Sequence, residues 1–228
     1  MISKAQIKLI HSLAHAKYRR QEGLFVAEGP KVVGELQKVA KPVMYFDEQA
    51  DVEKASFLQH PQGVLAVFAI DDVMQEKKPI DGDSLILALD DVQDPGNMGT
   101  IIRLADWFGI DTIVCSPDTA DCWNPKVVQA SMGSIARVRI EEHSLVEYIS
   151  ALPKTMPIYG TVLDGENIYQ KALTKNGVIV MGNEGNGISK DVKALLTHRL
   201  LIPSARDGAE SLNVAIATAI TLSEFSRR

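Results

Sequence analysis

The sequence predicts an α/β fold: a mainly parallel sheet with helices on both faces, preceded by a smaller α/β unit. Three observations carry that expectation. Short apolar runs alternate with segments of helical periodicity over roughly the last 140 residues, the pattern of strands joined by crossover helices. The stretch "DDVMQEKKPIDGD", Asp71 to Asp83, is charged and aperiodic, with Pro79 and Gly82 as breakers, and separates two regions. Upstream of it a shorter α/β alternation occurs.

From Ser3 to Arg20, the positions Ile7, Ile10, Leu13, Ala14 and Tyr18 share one helical face, and Ser3 is placed to cap it, so one opening helix is expected. "LFVAEG" (Leu24 to Gly29), "PVMYFD" (Pro42 to Asp47) and "GVLAVFAI" (Gly63 to Ile70) read as strands, with "PKVVGELQKV" and "ADVEKASFL" as helices between them. The division expected is therefore residues 1–75, a linker 76–83, and residues 84–228. The second region begins with a strand "SLILALD", a glycine-rich turn, a helix "TIIRLADWFG" and a strand "DTIVCS". A helix opened by Asn124 and Pro125 follows, since Pro in the first turn removes no hydrogen bond. Strands are expected at "PIYGTVL", "GVIVMG" and "RLLIPS", with helices after the first two, and a long last helix from near Leu212.

Composition narrows the function classes. With 228 residues, 46% hydrophobic and 23% charged, the chain excludes disordered and collagen-like classes. Its apolar runs fall short of the roughly 20 residues that span a bilayer. No signal-peptide pattern opens the chain, so no membrane association and a cytoplasmic location are expected. Cys115 and Cys122 are too few for a disulfide framework or zinc cluster and read as reduced, packed thiols. The five histidines lack metal-ligand spacing, and neither a phosphate loop nor a nucleophile elbow is present, so no metal site is expected. The formal net charge of −5 is unevenly distributed: residues 1–45 carry eight basic and three acidic side chains. Local fields rather than net charge attract a polyanion, although such lysines also suit a solvated helix face.

In an open α/β sheet ligands bind at the carboxyl ends of strands. Three segments there stand out. "DPGNMGTIIR" (Asp94 to Arg103) has Gly96 and Gly99 as a tight turn into a helix, Asn97 in that turn, and Arg103 on the first helical turn. "MGNEGNGIS" (Met181 to Ser189) has three glycines around Glu184. "IPSARDGAESLNVA" (Ile202 to Ala215) leads through Glu210, Ser211 and Asn213 into the last helix. Taken singly, each is explained by glycines closing turns and Ser or Asn capping helices.

Together and in this order, the three segments resemble the motifs of the SpoU (TrmH-like) class of RNA ribose 2′-O-methyltransferases in the SPOUT superfamily. The likeness covers Ser84 to the carboxyl end, and "FVAEGPKVV" resembles the RNA-substrate-binding domain that often precedes it. Ser204 departs from the pattern, standing where family members usually have Met, in a loop one residue longer. The resemblance implies S-adenosylmethionine as cofactor and a carboxyl-terminal trefoil knot. It implies that Thr161, Gly182, Ile202 and Leu212 hold the cofactor, and that Asn97, Arg103, Glu184, Ser211 and Asn213 face the ribose and the methyl group. Arg103 is then either the proton acceptor or a phosphate ligand. RNA contacts are expected from Lys17, Arg19 and Arg20, with ribosomal RNA favoured over transfer RNA. The last helix, apolar nearly all round, suggests a homodimer through the carboxyl-terminal domain. The alternatives are the same reaction on transfer RNA, a catalytically silent RNA-binding module, and an α/β enzyme binding another adenine nucleotide.

Overall fold

The computed structural model describes residues 1–74, 84–206 and 211–227; the expected linker, 76–83, and Glu210 lie outside them. The first helix, α1 (Lys4–Ser12), is closed by a reciprocal cap: the Ser3 hydroxyl accepts from the Gln6 amide, and the Gln6 side chain accepts from the Ser3 amide. The single helix expected to Arg20 is in fact two. The Leu13 carbonyl accepts from Arg19 Nη1 at 2.7 Å instead of continuing the helical ladder. The chain turns and restarts as α2 (Ala16–Glu22), ending at Gly23 with φ 65°. β1 (Leu24–Glu28), α3 (Pro30–Leu36), β2 (Met44–Phe46), α4 (Gln49–Ala55), β3 (Leu65–Ala69) and α5 (Ile70–Val73) follow. The strands form an antiparallel sheet in the order β1-β3-β2.

The second sheet begins with β4 (Leu85–Asp90), α6 (Pro95–Phe108), β5 (Thr112–Cys115) and α7 (Pro125–Ala130). A single 3-10 turn (Ser134–Ala136), β6 (Arg139–Glu142), α8 (Leu145–Ala151) and β7 (Ile158–Asn167) come next. β8 (Gly177–Gly182), α9 (Lys190–Lys193), β9 (His198–Leu201) and α10 (Val214–Ser226) complete it. All neighbours in the order β6-β5-β4-β8-β7-β9 are parallel, and helices cover both faces, as expected. No helix follows β7, contrary to expectation. That strand instead runs on to Asn167 and pairs with β9 in two stretches, with a bulge between Thr161 and Glu166.

Period-two alternation sorts the core. Leu87 and Leu89 of β4 pack toward α6 and α7, whereas Ile86 and Ala88 pack toward α8 and α9. The first cluster is continuous with Phe25 and Phe68 of the small sheet and Val33 of α3, so both sheets share one core. Polar ties reinforce the junction. The Phe25 and Trp123 rings have centroids 4.6 Å apart. Buried Arg19 donates to Asp121 Oδ2 from Nε at 3.0 Å and from Nη2 at 2.5 Å. Arg137 donates both to Glu35 (2.5 Å) and to Asp106 (2.7 Å).

Candidate active site

β4 and β8 are hydrogen-bonded neighbours in a register that sets Asp90 opposite Gly182, so the loops leaving them start side by side. The first loop runs through Asp94, whose carboxylate caps α6 by accepting from the Asn97 amide at 2.8 Å, with Pro95 in the first turn. The glycines read as a tight turn are therefore inside the helix. A Cβ on Gly99 would lie 2.4 Å from Ala130 Cβ and 2.7 Å from the Val127 carbonyl, so this glycine allows α6 to approach α7. Arg103 is consequently not on the first turn: it lies two turns in.

The structure brings three of the expected residues into one relay. Asn213 caps α10, its Oδ1 accepting from Ala215 (2.9 Å) and Ile216 (3.2 Å), which leaves its amide nitrogen to donate to Asn97 Oδ1 at 2.9 Å. Asn97 Nδ2 in turn donates to Glu184 Oε1 at 3.0 Å. Glu184 also accepts from the backbone amides of Gln93 (3.3 Å) and Asp94 (3.2 Å). Partial burial pushes the Glu184 carboxyl up, but the Asn97 amide and these backbone donors outweigh it and hold the group below its ordinary value of 4.5. Glu184 is thus a fixed anion at neutral pH. Each motif contributes one member of the relay, and the Asn213 amide is oriented by its capping of α10.

Other expected residues are placed differently. Arg103 is exposed and makes no hydrogen bond or ion pair among the described residues. Six residues beyond Asn97, it lies roughly 9 Å further along α6 and about 120° around it. It shares the outer face with Thr100 and Trp107, the latter 82% exposed. Ser211 is exposed near the start of α10. Thr161 lies beside Met181, its hydroxyl 3.6 Å from the sulfur, and Ile202 follows β9. Gly182 and Ile202 therefore mark the ends of β8 and β9, with Thr161 between them on β7 at its bulge, all within about two strand spacings of roughly 4.8 Å. Gly182 serves its own loop: a Cβ there would lie 2.3 Å from Gly187 C and Ile188 N, which fold back over the strand end.

Arg19 is corrected outright. Its side chain is 2% exposed and pairs with Asp121, so it is withdrawn from any RNA surface. Lys17 stays exposed, and Arg20 is exposed but paired with Glu142 at 3.3 Å. That pair places α2 at the carboxyl end of β6, on the edge of the sheet that carries the relay, beside a cleft of about 480 Å³ that Trp123, Glu142 and His143 help to line. Asp94 and Asn183 were not singled out from sequence, although an Asp-Pro pair before a helix is a readable cap. Cys115 and Cys122 are free thiols, and burial pushes Cys115 up to about 12. Among the described residues, no helix is long and apolar enough to cross a membrane, and no cluster of His, Cys, Asp and Glu is placed to hold a metal ion.

S-adenosylmethionine would need apolar walls for its adenine and strand-end backbone for its polar edges. Leu212, 49% exposed and just before α10, and half-buried Ile202, directly after β9, supply apolar surface. The anionic Glu184 nearby suits a positively charged sulfonium, so the residues present fit that group.

Comparison with known proteins agrees with this arrangement. The profile of the SpoU rRNA Methylase family matches residues 84–223. The chain is 31% identical over 226 residues to the 23S rRNA (guanosine(2553)-2′-O)-methyltransferase RlmP of Bacillus subtilis, covering 90% of this chain and 89% of that protein. It is 31% identical to the 23S rRNA (guanosine-2′-O-)-methyltransferase RlmB of Xanthomonas campestris, covering 73% and 70%. Among solved structures, one from Porphyromonas gingivalis assigned to the TrmH family of RNA methyltransferases is 40% identical, with a TM-score of 0.89 over 100% of this chain and 99% of that one. An AdoMet-bound rRNA methyltransferase from Sinorhizobium meliloti is 27% identical, with a TM-score of 0.87 over 100% and 97%.

Proposed function

The chain belongs to the SpoU rRNA Methylase family and is an S-adenosylmethionine-dependent RNA ribose 2′-O-methyltransferase, and from that premise we propose that its substrate is ribosomal RNA. The observation that carries the chemistry is the Asn213–Asn97–Glu184 relay, because three distant segments meet there with their hydrogen bonds satisfied. Ribosomal RNA is favoured because the RlmP likeness runs through the amino-terminal unit as well as the catalytic one. Residues 1–75 form the substrate domain in this reading, and residues 84–228 the methyltransferase domain, with a trefoil knot toward its carboxyl end.

When bound, the cofactor supplies a methyl group on a sulfonium, open to in-line displacement by a ribose oxygen. The protein's part is to position that oxygen and ease loss of its proton. Asn97, Glu184, Ser211 and Asn213 orient the ribose and the methyl donor, while Thr161, Ile202 and Leu212 hold the adenosine and Gly182 shapes the loop around it. Arginine guanidinium does not deprotonate in proteins, so Arg103 binds the phosphate beside the ribose and stabilises the developing alkoxide. Trp107 on α6 and Ile216 (53% exposed) on α10 are large apolar groups open to solvent on two helices that pack together. A homodimer gives them a partner. Lys17 and Arg20 carry the RNA contacts.

The test is transfer of labelled methyl from S-adenosylmethionine into unmodified transcripts of ribosomal and transfer RNA. Alkali-resistant label in the ribosomal transcript alone is expected, and label in transfer RNA alone refutes the substrate. Arg103→Ala should abolish turnover while cofactor binding stays intact; an active variant removes the role given to Arg103.

A further inference from the structure

We infer that Asn183 is a positioning residue for methyl transfer: its side-chain amide ties the loop after β4 to the loop after β8 and so sets where Glu184 meets Asn97. Asn183 Nδ2 donates to the Asp91 carbonyl at 2.7 Å, with the Asp91 carboxylate 3.5 Å away. Its Oδ1 accepts from the amides of Gly185 and Asn186, both at 2.9 Å. Its backbone closes a two-way bridge with Gly187, at 3.1 and 3.0 Å. Every polar group of this residue is therefore used, the carbonyl oxygen within its own loop and the amide nitrogen across to the other. Only an amide of this length meets both demands: Asp lacks the donor, and Ser lacks the reach.

The receiving end is a special position. Asp91 has φ 61°, a left-handed conformation that costs energy for any residue with a Cβ and is best tolerated by Asn and Asp. It is held from one side by its amide donating to Ser116 Oγ at 2.8 Å, and from the other by Asn183. Two residues on, the Gln93 amide donates to Glu184, which is the residue after Asn183. The cross-loop bond thus sits within two residues of both ends of the Glu184 contacts without touching the reacting groups. A displacement of about 1 Å at a reacting centre costs on the order of 100-fold in rate, so a bond that fixes loop separation acts on turnover.

This inference rests on the reading of Asn97 and Glu184 as site residues, and the test separates the two. Asn183→Asp keeps the oxygen that caps Gly185 and Asn186 but loses the donor. At pH 8 kcat on the ribosomal transcript should fall roughly 10- to 100-fold, with cofactor affinity and RNA KM little changed. Asn183→Asp combined with Asp91→Asn, which returns an amide donor to the pair, should recover turnover at pH 8.

Amide exchange gives a readout that needs no RNA. The Gln93 and Asp94 amides should lose protection in Asn183→Asp and regain it in the double variant. Unchanged protection, or a double variant no better than the single one, overturns the inference. If the wild-type protein labels no transcript, the functional reading fails, while the exchange data still decide the role of Asn183.

Discussion

Replacing Arg19 by Met tests the correction that moved this residue from the RNA surface to the junction between the sheets. The side chain is 2% exposed, while the Asp121 side chain is 22% exposed. Removing the guanidinium leaves the Leu13 carbonyl without its donor and Asp121 with only the Trp123 amide at 2.9 Å. Breaking a buried pair costs about 3–5 kcal/mol, and the partial exposure of Asp121 argues for the lower end, about 3 kcal/mol. For a chain of this size that corresponds to a fall in Tm of roughly 6–12 °C. An exposed RNA-contacting arginine would change stability by no more than about 0.5 kcal/mol. Urea unfolding followed by tryptophan fluorescence, in a Trp107→Phe background so that Trp123 alone reports, measures the loss. Arg19→Met with Asp121→Leu should recover most of it, because an apolar pair carries no stranded charge. A Tm shift below about 2 °C, or single effects that simply add in the double variant, would refute the buried-pair argument.

Three further outcomes follow from the same geometry. Lys17→Glu should weaken RNA binding and lower the salt slope by about one without changing Tm; an unchanged slope would place the RNA surface elsewhere. Deleting Met1 to Glu22 is not an equivalent experiment, since it removes buried Ile10, Leu13 and Arg19. Gly182→Val should abolish cofactor binding by forcing the 183–188 loop off the strand end, and should also lower Tm; a normal calorimetric isotherm would exclude this. Glu184 is held below 4.5, so the stability it contributes is fully present above that pH and is lost as pH falls through the folded-state value. Glu184→Gln should therefore show a smaller fall in urea midpoint than wild type between pH 7 and pH 3.5, and equal falls would remove the claim.

Much of the site was legible because its chemistry is compressed into short segments. Asn97, Glu184 and Asn213 each stand at a fixed offset from a strand end or helix start, and parallel pairing of β4 with β8 brings those ends together. What escaped was geometry that depends on distant partners. Periodicity accepted one helix to Arg20, since nothing local announces that Arg19 turns inward to meet Asp121, 102 residues away. Glycine was read as a turn signal at Gly99, whereas its reason is Ala130 on the facing helix. The extension of β7 through "DGEN" has turn-like composition and exists because β9 pairs with it a second time. β6 escaped because its Arg and Glu positions break the apolar run of a strand at the sheet edge.

The junction between the sheets also sets a condition on inheritance. Arg19, Phe25 and Glu35 on one side meet Asp121, Trp123 and Arg137 on the other, so the two halves are matched by charge and shape at three points. A chimaera that joins residues 1–75 to a related catalytic half without those partners would strand a buried guanidinium and an aromatic ring at its seam. Exchange of the amino-terminal unit between related chains therefore requires that the seam residues travel with it. The seam thus acts as a lock between the two units, opened only by changing both of its faces together.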